Sequence, residues 1–323
     1  MKPKANSPGA IVKGKTDRLL RYSFLSLLHL FSTRRLPRTP EPSAVTNDID
    51  DVNDYDRVMS TVMALPYALA LNCIWRARGN QGGNRGGNQG GHRALDLCCG
   101  PGFFTLLLNR RLGYREVLGV DLSRNMLDAA RRNAVAADRQ EQVRFREGSV
   151  FDLSGLQKQS FDLVAFCNGA HQFDAIDDVV RVLAQAAQVV KPDGLVFVLD
   201  PVRQKTQRLT EGYVRVAGED YLRQGLTAFH RQFRESLYAS WSPQELAGAV
   251  PQSSGRRWVQ ILPSGLPTFQ MLLGLPSSQR RTYLRPAMSP ADLREVIPPH
   301  AAFDWKLLSA AFAAGSSTKL NAQ

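Results

Sequence analysis

The sequence predicts an α/β fold: a doubly wound, mostly parallel sheet with helices on both faces. Three observations lead there. Between His92 and Pro201 short apolar strands alternate with amphipathic helices, the pattern of right-handed crossovers between parallel strands. The first of these strands ends in an acid and a tight turn, Asp96-Leu-Cys-Cys-Gly-Pro-Gly102, at the strand end where such sheets bind ligands. The chain has 323 residues, 43% hydrophobic and 22% charged, enough for a sizeable core and unlike disordered, collagen-like or fibrous chains.

Taken in order, residues 1–53 read as a basic tail and linker, because Leu36-Pro-Arg-Thr-Pro-Glu-Pro-Ser43 cannot sustain a helix; poor order is expected there. From Asp54 to Arg78 the spacing of Val58, Val62, Leu65, Leu69 and Ile74 is helical, with Pro66 ending or kinking the helix. Residues 79–91 are a Gly/Asn-rich spacer whose glycines favour disorder, and no Gly-Lys-Ser/Thr follows to make it a phosphate loop. Strands are expected at 93–97, 116–120, 143–147, 161–167 and 195–199, the last announced by the turn Lys191-Pro-Asp-Gly194. Helices are expected at 103–112, at 123–136 behind the N-cap Ser123, and at 175–190. Residues 203–257 break the alternation: they are polar, Arg-rich and aromatic, with helices expected at 218–236 and 243–249. Two further strands, 258–262 and 268–273, are close enough to pair antiparallel at the sheet edge, giving seven strands with a helical insertion before the last two. The domain thus runs over 54–275, and 276–323 is an extension with one helix at 304–314.

The net charge is +12, but its placement weakens a nucleic-acid reading. Residues 1–46 carry +7 and 275–323 carry +3, leaving the body nearly neutral, without the excess that a phosphate-tracking surface needs. Leu19, Leu20, Phe24, Leu27, Leu28 and Phe31 recur at near-helical spacing in an Arg/Lys-rich, acid-poor stretch. That stretch reads as a docked or loose extension, an organelle transit peptide, or a helix making peripheral membrane contact. No apolar run reaches the ~18–20 residues that span a bilayer. The four cysteines have neither a disulfide framework nor paired zinc spacing, so a reducing compartment, the cytoplasm, is the simpler expectation and no metal site is expected.

The segment Ala94–Thr105 carries the chemistry. Gly100 and Gly102 permit backbone shapes and close approach that a side chain would block. Asp121 ends the next strand, positioned to accept from both hydroxyls of a ribose. Two nucleotide cofactors compete. A dinucleotide fingerprint wants a third glycine, where Thr105 stands, and no carboxylate ahead of the turn. Asp96 would repel pyrophosphate but suits an ammonium and a sulfonium, favouring S-adenosylmethionine over NAD or ATP.

At these residues the stretch Arg93–Pro201 resembles the Rossmann-like core of class I S-adenosylmethionine-dependent methyltransferases, of the small-molecule type 11/25 group. The likeness rests on Leu-Asp-Leu-Cys-Cys-Gly-Pro-Gly, Val-Leu-Gly-Val-Asp-Leu-Ser-Arg-Asn-Met-Leu, Glu-Gly-Ser-Val-Phe-Asp-Leu, Ser-Phe-Asp-Leu-Val-Ala-Phe-Cys-Asn-Gly-Ala-His and Lys-Pro-Asp-Gly-Leu-Val-Phe-Val-Leu-Asp-Pro, in order. It implies that Asp96 and Gly100–Gly102 hold the methionine part and Asp121 the ribose. Leu122 and Met126 would pack on adenine, Ser149 and Val150 would lie along its edge, and Asn168 would face the methionine. Tyr55 and Asp56 resemble a cap over the cofactor. Two positions depart from the pattern: Cys98 replaces the first loop glycine, and Ser149 stands where an acid is usual.

His171, after the fourth strand, is the candidate general base, needed only if the acceptor must lose a proton; the alternative is that it lines the pocket. Asp200 and Arg203 either bind substrate or form a solvated rim. The aromatics of 203–257 form a lid or the insertion's own core. Three functions are open: a methyltransferase acting on a small or lipid-like molecule, an RNA methyltransferase using its basic tails, and an inactive cofactor-binding partner subunit. The absence of Asn/Asp-Pro-Pro-aromatic at Asn168–His171 counts against a base-amine acceptor.

Overall fold

A computed structural model describes residues 8–42, 52, 55–56, 58–59, 63–78, 92–265, 267–289, 291–297, 301–315 and 317–320, without the side chains of 8–19, 220 and 303. The 79–91 spacer lies outside the described residues. Eight strands form one sheet: β1 (Arg93–Leu97), β2 (Glu116–Asp121), β3 (Val143–Glu147), β4 (Phe161–Cys167), β5 (Val190–Pro201), β6 (Arg256–Ile261), β7 (Phe269–Pro276) and β8 (Ser317–Leu320). Their order is β3-β2-β1-β4-β5-β7-β6-β8. β1 to β5 are parallel, and β7, β6 and β8 follow antiparallel.

Strand periodicity builds the two faces. In β4, Leu163, Ala165 and Cys167 enter one core and Val164 and Phe166 the other; in β5, Leu195, Phe197 and Leu199 alternate with Val196 and Val198 in the same way. Nine helices surround the sheet: α1 (Pro8–Phe31), α2 (Ala64–Ala77), α3 (Phe103–Leu112), α4 (Arg124–Ala136), α5 (Ile176–Val189), α6 (Gln207–Arg223), α7 (Thr227–Ala239), α8 (Pro243–Gly248) and α9 (Ala302–Ala313), counted among the described residues. The apolar stripe of α2, Leu71 and Ile74 included, packs on the first face, and Val179, Val182 and Leu183 of α5 pack on the second.

Four features differ from the sequence reading. An eighth strand joins the expected seven: β8 is short and mostly exposed, with Leu320 opposite Trp258, so no hydrophobic alternation announces it. The turn at Lys191–Gly194 is absorbed into β5 as an irregularity, since Phe161 pairs with Val190 and Leu163 with Leu195. The insertion holds two long helices in place of one; Gly225, at φ +75°, separates α6 from α7. Residues 8–42, expected as a poorly ordered basic tail with a docked extension as one reading of its apolar stretch, are a helix and an extended strap. Leu25 of α1 is buried among Leu209, Tyr213 and Val216 of α6, so close to Gly212 that a Cβ there would lie 2.6 Å from its Cδ2. No helix among the described residues is long and apolar enough to cross a membrane.

Candidate functional site

The turn after β1 is shaped by its backbone. Cys98, Gly100 and Gly102 all have left-handed φ, +53°, +52° and +78°. A Cβ on Gly102 would lie 2.7 Å from Cζ of Phe145, whereas one on Gly100 would meet nothing within 4 Å. Gly102 is therefore required by packing, and Gly100 leaves open space over the turn. Cys98 occupies a conformation natural to glycine, at a cost of roughly 1 kcal/mol. Asn168, at φ +56°, holds the same kind of conformation in the neighbouring loop after β4. Two such residues side by side mark a loop pair shaped for something other than stability.

Two carboxylates meet this turn. Asp96 is buried, and its Oδ2 accepts from Thr105 Oγ1 at 2.7 Å. Burial pushes its carboxyl up to about 7, against the Thr105 hydrogen bond and with help from Asp121. Asp121 accepts from the Gly100 and Ser123 amides, each at 2.9 Å. Burial raises its carboxyl too, and those amides hold it back. Neither carboxylate has a cationic side-chain partner among the described residues. The donor set thus fits a ligand that brings hydroxyls and a positive charge, and the open face of Gly100 fits its close approach.

The other expected binding residues gather at the same end of the sheet. Leu122, 49% exposed, follows Asp121, and Met126 is buried at the start of α4 with Val52, Ala129 and Tyr55. Ser149 Oγ accepts from the Phe151 amide and Val150 is buried, so that loop is held as a turn. Asn168 Nδ2 is buried with no hydrogen-bond partner. Asn133 donates to Asp56 Oδ1 at 2.6 Å and to the Pro101 carbonyl at 2.9 Å, tying the segment of Tyr55 and Asp56 to the glycine turn. The ring of Tyr55 meets Phe229 of α7 edge-on at 5.4 Å.

Across β4, His171 sits in a 3-10 turn (Ala170–Gln172) and is 3% exposed. Its Nδ1 lies 2.9 Å from Oδ1 of Asp200, the wholly buried last acid of β5. Burial pulls the imidazole down, but the charge and hydrogen bond of Asp200, aided by Glu41, outweigh it, so His171 ends above its usual value. His171 Nε2 and Asp200 Oδ2 are both buried without a hydrogen-bond partner. Asp200 is therefore not a solvated rim. Nor is Arg203: its guanidinium grips both oxygens of Glu245 at 2.9 and 2.8 Å. Of the insertion's aromatics, Tyr213, Tyr221, Phe229 and Phe233 pack edge to edge on one another, with Tyr221 and Phe229 joining the main core and Tyr213 packing with Leu25 of α1. Trp241 instead donates to the Ala170 carbonyl at 2.7 Å, beside His171.

Sequence reasoning missed Asp200 as His171's partner, although Asp96, Asp121 and Asp200 all end apolar strands in the same way. It missed Glu41, whose Oε1 lies 3.6 Å from His171 Nε2, because 130 residues separate them and nothing local signals the contact.

Residues 94–194 match the family model described as "Methyltransferase domain". A demethylmenaquinone methyltransferase of Lactobacillus johnsonii is 31% identical over 131 residues, 40% of this chain and 50% of that protein. A 2-phytyl-1,4-naphtoquinone methyltransferase of Trichormus variabilis is 35% identical over 115 residues, 35% of this chain and 48% of that protein. The chain spans about half the length of these two relatives. A demethylmenaquinone methyltransferase of Bacillus cereus is 29% identical over 194 residues, 57% of this chain and 77% of that one. Among solved structures, an O-methyltransferase family protein of Burkholderia thailandensis shares the fold, with a TM-score of 0.52 at 20% identity over 87% of this chain and 75% of that chain. With strand order, glycine turn and family model in agreement, residues 94–194 are a methyltransferase domain of the class I, type 11/25 group.

Proposed function

We propose that this chain transfers a methyl group from S-adenosylmethionine to a hydroxylated, quinone-like small molecule. The observation that carries the reading is the pairing of an open glycine turn, flanked by two carboxylates without cationic partners among the described residues, with the buried couple of His171 after neighbouring β4 and Asp200 on β5. When bound, the cofactor supplies an electrophilic methyl group on a sulfonium.

Asp96 would face its ammonium and Asp121 its ribose hydroxyls, while the Gly100–Gly102 turn lets backbone approach without a Cβ between. Leu122 and Met126 offer apolar surface for the adenine, Ser149 and Val150 its edge, and Asn168 the methionine part. Tyr55 would close this end, held through Asp56 and Asn133. The protein's tasks are alignment and exclusion of water, because the leaving group becomes neutral.

An acceptor hydroxyl must also be made nucleophilic. With Asp200 fixing Nδ1 as the protonated nitrogen, His171 Nε2 is free to take a proton. Names of relatives that act on naphthoquinone-type molecules support a quinone-like acceptor. Support for contact with an anionic lipid surface comes from α1. Leu20, Phe24, Leu27 and Phe31, at 65, 54, 55 and 83% exposed, share the side opposite buried Leu25, with exposed Arg21, Arg34 and Arg35 beside them.

The test is incubation with methyl-labelled cofactor and three acceptor pools: reduced naphthoquinones, simple phenols and total RNA. Label in the quinone or phenol pool, lost when that acceptor is left out of the mixture, is expected. Label confined to RNA would overturn the reading.

A further inference from the structure

The N-terminal strap, residues 32–42, does not merely cross the insertion; it is fastened to the rim of the His171 turn. Arg38 does the fastening. Its guanidinium donates to the carbonyls of Ala239 at 2.6 Å, Asp174 at 2.8 Å, His171 at 3.0 Å and Phe173, and it stacks 3.8 Å over the Trp241 ring. The planar guanidinium is suited to this work, since one group can serve several carbonyls and one aromatic face together. A further bond secures the strap, Thr39 N to the Tyr238 carbonyl at 3.2 Å, and Lys205 Nζ holds the end of α1 just before it, at the His29 carbonyl, 2.9 Å away. The consequence is the position of Glu41, three residues on. Ser236 Oγ donates to its Oε1 at 2.6 Å, and the same oxygen lies 3.6 Å from His171 Nε2. Only 12% of the Glu41 side chain is exposed.

We infer that Glu41, carried into the site by a strap that Arg38 fastens, is a positioning residue for His171. The inference rests on the proton-accepting role proposed for that imidazole. At 3.6 Å the Glu41–Nε2 contact is too long for a hydrogen bond, so it leaves Nε2 its full capacity. An acceptor oxygen that hydrogen-bonds Nε2 would replace no existing hydrogen bond there. The acceptor's O–H bond then breaks, its proton moves to Nε2, and the electron pair stays on oxygen. The imidazolium so formed lies between Asp200 on β5 and Glu41 on the strap. The charged groups facing it are those two carboxylates and Arg38, whose own charge opposes them; Asp174, Arg203 and Glu245 lie beyond, around Arg38. Glu41 thus favours the protonated form of His171, and the strap belongs to the reacting end of the crevice.

The test reads His171 directly, in the full chain, by titrating its imidazole by NMR, with His171→Gln identifying the resonance among the five histidines. Glu41→Gln keeps the shape and an oxygen for Ser236 but removes the charge. It should move the His171 midpoint down by about one pH unit, leave cofactor affinity unchanged, and shift the acid limb of kcat to lower pH by the same amount. Glu41→Asp should restore most of the shift. Arg38→Lys, which keeps the charge but cannot grip several carbonyls and the Trp241 face together, loosens the strap with Glu41 intact; it should move the midpoint in the same direction and serves if Glu41→Gln does not fold. A midpoint that stays in place in the folded variants overturns the inference. The titration needs no acceptor, so a shifted midpoint together with no methylated quinone or phenol would fault the proposed reaction and leave the role of Glu41 standing.

Discussion

The two halves of the crevice treat buried carboxylates in opposite ways. On the β1–β2 side, Asp96 and Asp121 are answered only by a hydroxyl and by backbone amides, and burial pushes both carboxyls up. On the β4–β5 side, Asp200 meets an imidazole at 2.9 Å, with Glu41 beyond it. The first half is electrostatically incomplete without a cation, whereas the second already holds a proton of its own. A buried charge is tolerated only with compensation. The first half therefore reads as a place where a positive ligand docks, and the second as a place where a proton is handled.

The largest effect should come from removing the acid that both fastens the glycine turn and faces the ligand. Asp121→Ala strips the Gly100 and Ser123 amides of their acceptor along with the proposed ribose contact. Charge-assisted hydrogen bonds are worth about 1.5–3 kcal/mol each, so cofactor affinity measured by calorimetry should fall at least 100-fold. Unchanged affinity would break the comparison at its first term.

The complementary variant is Asp200→Asn, expected to cut kcat about 100-fold or more while cofactor affinity holds. The amide no longer fixes Nδ1–H, and the imidazole loses the charge that raises its basicity. Its folded-state value should fall, so the remaining activity should reach its plateau at lower pH. Equal losses of binding and turnover would mean that the two halves are not separable.

How far the sequence foretold this division follows from what each half is made of. The cofactor half is local: Asp96 to Thr105 and Glu116 to Met126 each contain a strand, a turn and a helix start, so periodicity and turn chemistry mark them directly. The reacting half is assembled from the strap, the His171 turn, the end of β5 and α7. Its contacts span up to 201 residues, as for Arg38 and Ala239, and no short-range pattern encodes them. Pro37, Pro40 and Pro42 did foretell that 36–43 would not be helical. They carried no sign that an extended segment would be pinned by its arginine. β8 escaped for a related reason: an edge strand needs partners, not alternation.

A smaller effect sharpens the electrostatic side of the contrast. Asp96 ionises near pH 7 when folded, against about 4 in an unfolded chain. The unfolded chain therefore loses this proton first, and the ligand-free fold loses stability as pH rises from about 4 through about 7. Asp96→Asn, which still accepts from Thr105, should raise the melting temperature at pH 8 by several degrees while weakening cofactor binding. In the unaltered protein, cofactor affinity should fall as pH drops below about 7, because the carboxylate must ionise to meet the ammonium. A pH-independent affinity would assign the ammonium elsewhere.

The smallest effect concerns neither half of the crevice but the helix that leads into the strap. On α1, Leu25 packs inward while Leu20, Phe24 and Leu27 face out on the opposite side, three or four residues apart. Exposed apolar side chains beside cations favour an anionic lipid surface, where each adds to the other. Changing all three to serine removes apolar area that the fold does not use, so the melting temperature should move by no more than a degree or two. Binding to vesicles containing phosphatidylglycerol should fall at least tenfold, and the unaltered chain's binding should weaken as salt rises. Methylation of a short-chain acceptor in free solution should not change, because the strap stays anchored through Arg38 and Thr39. Vesicle binding that survives the triple change would remove α1 from the lipid contact, and a loss of solution activity would place the stripe in the catalytic half after all.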